Sequence, residues 1–368
     1  MNQDQLAQLN GVVLVTAGLV SVILGVIMHR THFCTMGAVS DAVLMGSFTR
    51  MRQWALALAV SMLGFGCLSY AGFISPLQSV YASPSVLWLS TMLGGVMFGW
   101  GMVWASGCGA KTLVRVGTGN LKSLIVLVFM GFSALVTLKG LLAVPRVYFF
   151  DTFVWTPSAG VFVGQWVSHW FDVSLPLGVL LASGLAASGL LYWAFRDRDF
   201  VDIHNISTGL SVGAVICAVW VISGVLGHGL EHPETLEEFF LATNSRKMEA
   251  LSLTAPVAMS FDALMYFSDG TKRLTFGMVS VAGLIFGAFL SAFMAGGLRW
   301  ESFSNRTDLV RHIWGGILMG VGAVMAMGCS LGQGLSGMST FNLTSLFALA
   351  AMLLGAYLAV MRDLHAVD

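Results

Sequence analysis

The sequence predicts an all-α polytopic membrane protein with about nine transmembrane helices, about four short half-helices or re-entrant segments, and two inverted pseudo-symmetric repeats. Three observations support this fold class. Of the 368 residues, 57% are apolar and only 10% are charged, whereas soluble domains contain about 25% charged residues. The mean hydropathy is +0.82. The glycine-rich segment Gly94–Cys108 also recurs as Gly315–Cys329, and both copies end in Gly-Cys.

The composition also narrows the class of function. A formal net charge of zero provides no basic surface for nucleic acid. Residues 1–5 carry no positive charge, so we expect no cleaved signal peptide and a first apolar run that stays in the membrane. The five cysteines form no Cys-x-x-Cys pair, which argues against zinc ribbons and thioredoxin-like motifs. We predict no metal site and no cofactor, and no phosphate-binding loop that would couple the chain to ATP.

Nine apolar segments approach the length of about 20 residues that a spanning helix needs. The predicted spans are 11–28, 53–74, 86–106, 121–143, 175–195, 206–228, 275–297, 311–328 and 342–361.

Four shorter segments interrupt this pattern, at 34–47, 109–119, 251–267 and 330–340. Each is too short to span, adjoins a span, and is rich in Gly, Ser, Thr or Ala. Such segments are typical of half-helices or re-entrant segments, which occur at membrane depth only where they are buried in protein or line a cavity.

The recurrence divides one transmembrane domain, 1–368, into repeat one (about 1–143), a connector (about 144–205) and repeat two (about 206–361). The shift from Cys108 to Cys329 also carries Asp41 onto Asp262. Because an odd number of spans precedes the second copy, we expect it to be inverted. Inverted repeats place their central site near the midplane, where broken helices meet.

The charges predict an orientation, because positive residues concentrate on the cytoplasmic side. One end of the predicted bundle carries Arg50, Arg52, Arg196, Arg198, Arg299, Arg306, Arg311 and Arg362. The other end carries Glu231, Glu234, Glu237, Glu238 and Glu249. We therefore expect the N-terminus outside and the C-terminus inside, although Lys272 and Arg273 fall on the opposite side.

Three cysteines each stand at the predicted start of a short segment. Cys329 precedes segment 330–340, Cys108 precedes segment 109–119, and Cys34 opens segment 34–47. A helix N-terminus favours an anion and a thiolate. The residues that flank these cysteines include glycines and cations, namely Arg30, Gly107, Gly109, Lys111, Arg115 and Gly328. This pattern indicates a path for a soft anion.

Other residues have simpler interpretations. Cys67 and Cys217 lie inside spans, and we interpret them as packing residues. The glycine stripe predicts close helix packing, and it consists of Gly95, Gly99, Gly316, Gly320 and Gly322.

The two matched aspartates allow two interpretations. Asp41 and Asp262 are either functional carboxylates at membrane depth or loop-end residues that pair with nearby cations. The candidate cations are Arg50, Arg52, Lys272 and Arg273. We favour the loop-end interpretation.

Three blocks of the chain resemble the YeeE/YedE family of bacterial sulfur-compound transporters. They are Arg30–Ala38 with Asp41 after it, Gly107–Leu121, and Gly328–Gly337. The resemblance extends over about residues 22–130 and 313–350. Lys111 departs from it, since a small or polar residue is expected there in thiosulfate members.

The resemblance implies a fold and a function. Family members look like inverted-repeat, hourglass-shaped proteins of the bacterial inner membrane that take thiosulfate into the cytoplasm. By motif, Cys34, Cys108 and Cys329 would be the three thiols that pass the ion along a central path. A cytoplasmic sulfur-carrier protein of the TusA type would be a possible partner, and the chain would be a transporter rather than an enzyme.

Three alternatives stay open at this point. One is a transporter of another sulfur or selenium compound. Another is a membrane thiol oxidoreductase that uses Cys108 and Cys329 as a redox pair, which requires them to lie within disulfide reach. The third is a soft-metal permease, since thiolates and thioethers suit Cu(I), although the 21 methionines form no dense cluster.

Overall fold

A computed structural model describes residues 3–230, 237–269, 273–298 and 300–365. Four residues of the predicted charge distribution lie outside this range: Glu231, Glu234, Lys272 and Arg299. The α-helices are α1 (Gln3–Thr31), α2 (Thr35–Leu44), α3 (Thr49–Tyr70), α4 (Trp88–Trp104), α5 (Gly109–Gly117), α6 (Leu121–Leu138), α7 (Ala143–Pro145), α8 (Val163–Phe171), α9 (Leu175–Phe195), α10 (Ile203–Val221), α11 (Thr254–Met265), α12 (Phe276–Met294), α13 (Arg306–Met325) and α14 (Leu343–His365).

Short irregular elements complete the described chain. Pro76–Gln78 and Arg198–Phe200 form 3-10 turns, and Arg146–Phe150, Ile222–Leu226 and Gly332–Gly337 form wider π-helical turns. The strands β1 (His228–Gly229) and β2 (Phe239–Phe240) pair antiparallel, a small exception to the predicted all-α class.

Every predicted span coincides with a helix. Within the described residues, seven helical segments are long and apolar enough to cross a membrane, which confirms a polytopic all-α membrane protein. They are Asp4–Leu44, Thr49–Tyr70, Leu121–Leu138, Leu175–Phe195, Ile203–Leu226, Phe276–Met294 and Leu343–His365.

The two remaining predicted spans, 86–106 and 311–328, form α4 and α13, which fall outside this set. α4 has 17 residues and is therefore about 26 Å long, shorter than a hydrocarbon core of about 30 Å. α13 has 20 residues, but its first turns contain charges at Arg306, Asp308 and Arg311. Both helices therefore have a shorter uncharged apolar stretch than the seven segments above, and each ends in a turn.

Helix pairing follows a regular pattern around α4 and α13, which pack on each other. α4 packs on α14, and α13 packs on α6. In the same way, α1 packs on α12, and α10 packs on α3. α9 packs on α3 and α8 on α9, so the connector lies along one flank.

Glycines permit the close approach of α4 to α13. A β-carbon on Gly94 would lie 2.8 Å from the carbonyl oxygen of Gly322, and one on Gly101 would lie 2.7 Å from that of Gly315. The shift from Gly94 to Gly315 also carries Gly101 onto Gly322, so the two contacts are reciprocal, as in a two-fold interface. Within the predicted stripe, a β-carbon on Gly95 would lie 2.6 Å from the Ala351 β-carbon, and one on Gly316 would lie 2.9 Å from the Val126 carbonyl oxygen, so the predicted close packing is confirmed.

α4 and α13 end in the same type of turn. The N–H of Gly107 donates to the Met102 carbonyl, and the N–H of Gly328 donates to the Ala323 carbonyl, at 2.8 Å in both cases. Ser106 (φ 56°) and Met327 (φ 58°) are left-handed. This is a Schellman ending, and it reverses the chain immediately before Cys108 and Cys329.

The four predicted short segments are all present. Segments 34–47, 109–119 and 251–267 contain α2, α5 and α11, whereas 330–340 contains the π-helical turn Gly332–Gly337 rather than an α-helix. Gly332, Gly334 and Gly337 occur within six residues, and glycine is a poor α-helix former. This explains the wider turn.

Candidate functional site

Two of the three predicted path cysteines lie side by side. The Sγ atoms of Cys34 and Cys108 are 3.8 Å apart, within S–H···S hydrogen-bond distance. Both residues are buried, and neither forms a disulfide. The close thiol pair is therefore Cys34 with Cys108, and not the Cys108–Cys329 pair that the oxidoreductase alternative named.

Each of these cysteines is the N-cap of a short helix. Cys34 caps α2 and Cys108 caps α5, both with extended backbone and neither with a side-chain capping bond. Their carbonyls accept the first helical bonds, from Ala38 at 3.0 Å and Thr112 at 2.9 Å. Two positive helix ends therefore meet at the thiol pair.

Cys329 occupies the corresponding turn after α13. It is buried, and its sulfur accepts a hydrogen bond from the backbone N–H of Gly332 at 3.4 Å. Its carbonyl accepts from the N–H of Gln333 at 2.7 Å. The third predicted thiol thus also stands at the start of a helical turn.

Gln333 and Tyr81 hold the turn that follows Cys329. The Gln333 amide donates to the Met327 carbonyl at 2.9 Å and accepts from the Ser345 hydroxyl at 2.6 Å. The Tyr81 hydroxyl donates to the Gly332 carbonyl at 2.6 Å, and burial raises the pKa of this phenol, so it remains a donor. A cavity of about 220 Å³ reaches Tyr81, Gln333 and Ser252.

Cations surround the approach to the Cys34–Cys108 pair. The Lys111 Nζ lies 3.3 Å from the His32 Nδ1, and the Arg115 guanidinium donates to the Ser106 carbonyl at 2.7 Å. A β-carbon on Gly37, one turn after Cys34, would lie 2.7 Å from the Arg50 Nη1. Arg30 is exposed in the last turn of α1. The arrangement attracts anions.

The predicted glycines lie at close contacts. A β-carbon would lie 3.2 Å from the Lys111 side chain at Gly107, 3.4 Å from the Thr254 Oγ1 at Gly109, and 2.9 Å from the Gln333 side chain at Gly328. Gly107 and Gly328 let these side chains approach the backbone beside Cys108 and Cys329, whereas the distance at Gly109 is an ordinary van der Waals contact.

The remaining sequence candidates have structural partners. The Asp41 carboxylate pairs with Arg50 at 3.3 Å. The Asp262 carboxylate pairs with Lys139 at 2.9 Å, which is not among the four predicted cations. The Cys217 sulfur packs at Gly64, as predicted, whereas Cys67 is exposed. Within the described ranges, no group of three or more His, Cys, Asp or Glu residues could hold a metal ion.

Sequence reasoning missed several residues near the thiols. Trp54 stacks on Phe33, with ring centroids 5.6 Å apart, and a β-carbon on Gly334 would lie 2.9 Å from its ring. Trp54 thus joins the Cys34 segment to the Cys329 segment. Only Thr254 had a usable sequence signal, because the shift from Cys108 to Cys329 carries Cys34 onto the adjacent Ala255.

Comparison with known proteins gives a family and full-length relatives. A family model described as sulphur transport matches residues 30–358. The thiosulfate transporter TsuA of Escherichia coli is 26% identical over 363 residues, covering 94% of both chains. The TsuA of Spirochaeta thermophila is 26% identical over 345 residues, covering 92% of this chain and 96% of the relative. A shorter match, 29% over 89 residues, is to the probable transporter YedE of Salmonella typhimurium and covers 24% and 22% of the two chains.

Proposed function

Because the chain belongs to the sulphur transport family, we propose that it imports a small sulfur-containing anion, most specifically thiosulfate, across the bacterial inner membrane. The protein is a membrane transporter rather than an enzyme. The observation that carries the proposal is the pair of buried thiols, Cys34 and Cys108, at two adjoining helix N-termini. In this mechanism Cys329 is the third thiol of a relay.

The proposed substrate suits the chemistry of these groups. A dianion in a low-dielectric path is costly unless donors and positive potential meet it, and helix N-termini provide both. A neutral thiol is a weak donor, so it holds a soft terminal sulfur and releases it again. Conduction needs this compromise between binding and release.

The proposed path has a direction. Arginines predicted to be cytoplasmic lie at one end of the bundle, where Arg52 pairs with Asp197 and Arg311 pairs with Asp363. α1 ends near this cluster because α2, which follows it, packs on α3 and pairs with Arg50 through Asp41. We therefore assign Cys34, Cys108 and Lys111 to the cytoplasmic half and Cys329 to the periplasmic half. The N-terminus is then periplasmic and the C-terminus cytoplasmic.

The proposed architecture is two inverted repeats with nine spans, of which α4 and α13 are the broken central pair. Three features support it: the reciprocal glycine contacts, the identical turns before Cys108 and Cys329, and the matched packing of α4 on α14 and α13 on α6. A cytoplasmic carrier of the TusA type that accepts the ion from the Lys111 side remains part of the proposal.

Uptake of radiolabelled thiosulfate tests the function, in bacterial cells that lack their own thiosulfate importers. We expect saturable uptake by the wild type and a fall to background for Cys34→Ala, Cys108→Ala and Cys329→Ala at equal membrane levels. The matched controls Cys67→Ala and Cys217→Ala remove thiols outside the proposed path and should retain uptake. A well-expressed wild type without uptake would exclude thiosulfate, and equal loss in all five variants would exclude the relay.

A further inference from the structure

We propose that Thr254 is a further substrate-contacting residue, whose hydroxyl binds the oxygen atoms of a small sulfur oxyanion between Cys329 and Cys108. This inference rests on the proposed transport function and adds a hydroxyl donor to the three thiols. The chemical class of the ligand is an anion with at least one oxygen acceptor, as thiosulfate has.

The segment 251–255 lies between the turn after Cys329 and the turn at Cys108. The Ser336 hydroxyl donates to the Leu251 carbonyl at 2.9 Å, and a β-carbon on Gly332 would lie 2.9 Å from the Ser252 Oγ. These contacts attach the segment to the turn after Cys329. At its other end, the Thr254 Oγ1 lies 3.4 Å from the β-carbon position of Gly109. The Thr254 hydroxyl therefore lies beside the position that a side chain of Gly109, the residue directly after Cys108, would occupy.

The Thr254 hydroxyl is fully buried and unpartnered. The residue is 0% exposed, and its Oγ1 has no hydrogen-bond partner among the described residues. The Thr112 hydroxyl, by contrast, donates to the Cys108 carbonyl at 3.1 Å. Thr254 is the first residue of α11, so no preceding helical turn offers it the usual carbonyl. A buried hydroxyl without a hydrogen-bond partner costs free energy, and a bound oxyanion would accept a hydrogen bond from it.

The start of α11 lacks donors that the other short helices have. The residue that corresponds to Cys34 is Ala255, which has no thiol. Pro256, the third residue of α11, has no backbone N–H. The helix still presents its positive end, and at 12 residues it is longer than α2 or α5. The Thr254 hydroxyl therefore supplies the directed hydrogen-bond donor that the start of α11 otherwise lacks.

Thiosulfate uptake kinetics of four proteins test the inference: wild type, Thr254→Val, Thr254→Ser and Ser183→Ala. Valine keeps the shape of threonine and removes the hydroxyl, whereas serine keeps the hydroxyl. We expect Thr254→Val to raise the KM about 10- to 100-fold, as for a lost hydrogen bond to a charged ligand. Thr254→Ser should remain close to wild type.

Ser183→Ala is the matched control. Ser183 is likewise 0% exposed with an unpartnered hydroxyl, but it lies on α9 and packs on Gly66, away from the cysteine turns. Unchanged KM in Thr254→Val overturns the inference while transport by the wild type upholds the proposed function. Equal effects of Thr254→Val and Ser183→Ala also overturn it, since they indicate a structural role. A wild type without uptake overturns both proposals.

If Thr254→Val does not reach the membrane, Thr254→Cys provides a second test. In a Cys67→Ala, Cys217→Ala background, thiosulfate should slow alkylation of the new thiol by N-ethylmaleimide at least several-fold, measured by mass spectrometry of its peptide. An alkylation rate that thiosulfate does not change overturns the inference.

Discussion

The thiols of Cys34 and Cys108 lie 3.8 Å apart across 74 residues of sequence. They join the turn between α1 and α2 to the turn between α4 and α5. Each cysteine is the N-cap residue of a short helix, so the N-terminal ends of α2 and α5 both lie at the thiol pair. The proposed path therefore passes two buried sulfurs that are in close contact, and a disulfide between them would alter the path at this point.

Oxidation of Cys34 and Cys108 to a disulfide should block the proposed path. Diamide takes two electrons and two protons from Cys34 and Cys108, which form a disulfide and leave the reduced hydrazine. The sulfurs must approach from 3.8 Å to about 2.05 Å. We expect loss of thiosulfate uptake and its recovery with dithiothreitol.

The assay uses a Cys67→Ala, Cys217→Ala background, in which only the three path thiols remain. Mass spectrometry should find the peptides of Cys34 and Cys108 linked, with Cys329 still free. A linked Cys108–Cys329 pair, or uptake that persists with the disulfide formed, would contradict the proposed path.

Substitution of Gly99 should destabilise the helix bundle. A β-carbon at this position would collide with the Met352 carbonyl oxygen of α14 and lie 2.7 Å from the Ala356 nitrogen. Backbone atoms cannot move aside as a side chain can, so we expect Gly99→Ala to lower the free energy of unfolding by about 1–3 kcal/mol. Thermal unfolding in detergent measures the change.

Gly184→Ala is the control for this prediction. No atom lies within 4 Å of a β-carbon at Gly184, on α9, so alanine there should be neutral or slightly stabilising. Equal melting temperatures for the two variants would show that the α4–α14 contact tolerates a methyl group.

The ion pair between Arg52 and Asp197 should contribute to stability in a pH-dependent way. The Arg52 guanidinium, and then the backbone N–H of Asp199, hold the pKa of the Asp197 carboxyl below its ordinary value. A lowered pKa in the folded state stabilises the protein above the unfolded value of about 3.9. This stabilisation is lost as the pH falls through the folded pKa.

Asp197→Asn should therefore melt earlier than wild type at pH 7, with a difference that disappears in acid. Asp199→Asn, which removes an exposed carboxylate two residues away, is the control. A difference between Asp197→Asn and wild type that is constant from pH 7 to pH 3 would show that the ion pair is not its cause.

The sequence predicted the helices well because apolar length alone determines where a membrane helix can form. All nine predicted spans coincide with helices. The observed helix ends differ from the predicted ones where a local turn ends the helix. The span predicted at 121–143 ends at Leu138, before Lys139, which pairs with Asp262. Segment 330–340 becomes a π-helical turn because of its glycines.

The site was only partly predictable. Gly-Cys motifs at helix starts identified Cys108 and Cys329, but they could not show that Cys108 lies beside Cys34, since this depends on the packing of distant helices. Trp54 and Tyr81 carry no local motif, and their proximity to the cysteine segments arises only in the fold. Thr254 adjoins Ala255, the repeat counterpart of Cys34, but only the fold shows that its hydroxyl is buried without a partner among the described residues.

Gln333 should position Cys329 rather than bind the substrate itself. Its buried amide connects the left-handed Met327, two residues before Cys329, to Ser345 on α14. Gln333→Leu keeps a similar volume but leaves the Met327 carbonyl and the Ser345 hydroxyl unpaired. We expect Gln333→Leu to lower the free energy of unfolding by about 1–3 kcal/mol, and we expect the turn at Cys329 to open more often.

Alkylation by N-ethylmaleimide, followed by mass spectrometry, measures this opening at each cysteine. Gln333→Leu should accelerate the reaction of Cys329 and leave the rate at Cys34 unchanged. Gln53→Leu is the matched control, since the buried Gln53 amide on α3 donates to Asn205 at 2.7 Å and has a comparable energetic role. Because that bond lies outside the turn, Gln53→Leu should lower stability without exposing Cys329. Equal acceleration in both variants would instead indicate general loosening of the bundle, and the positioning role of Gln333 would be rejected.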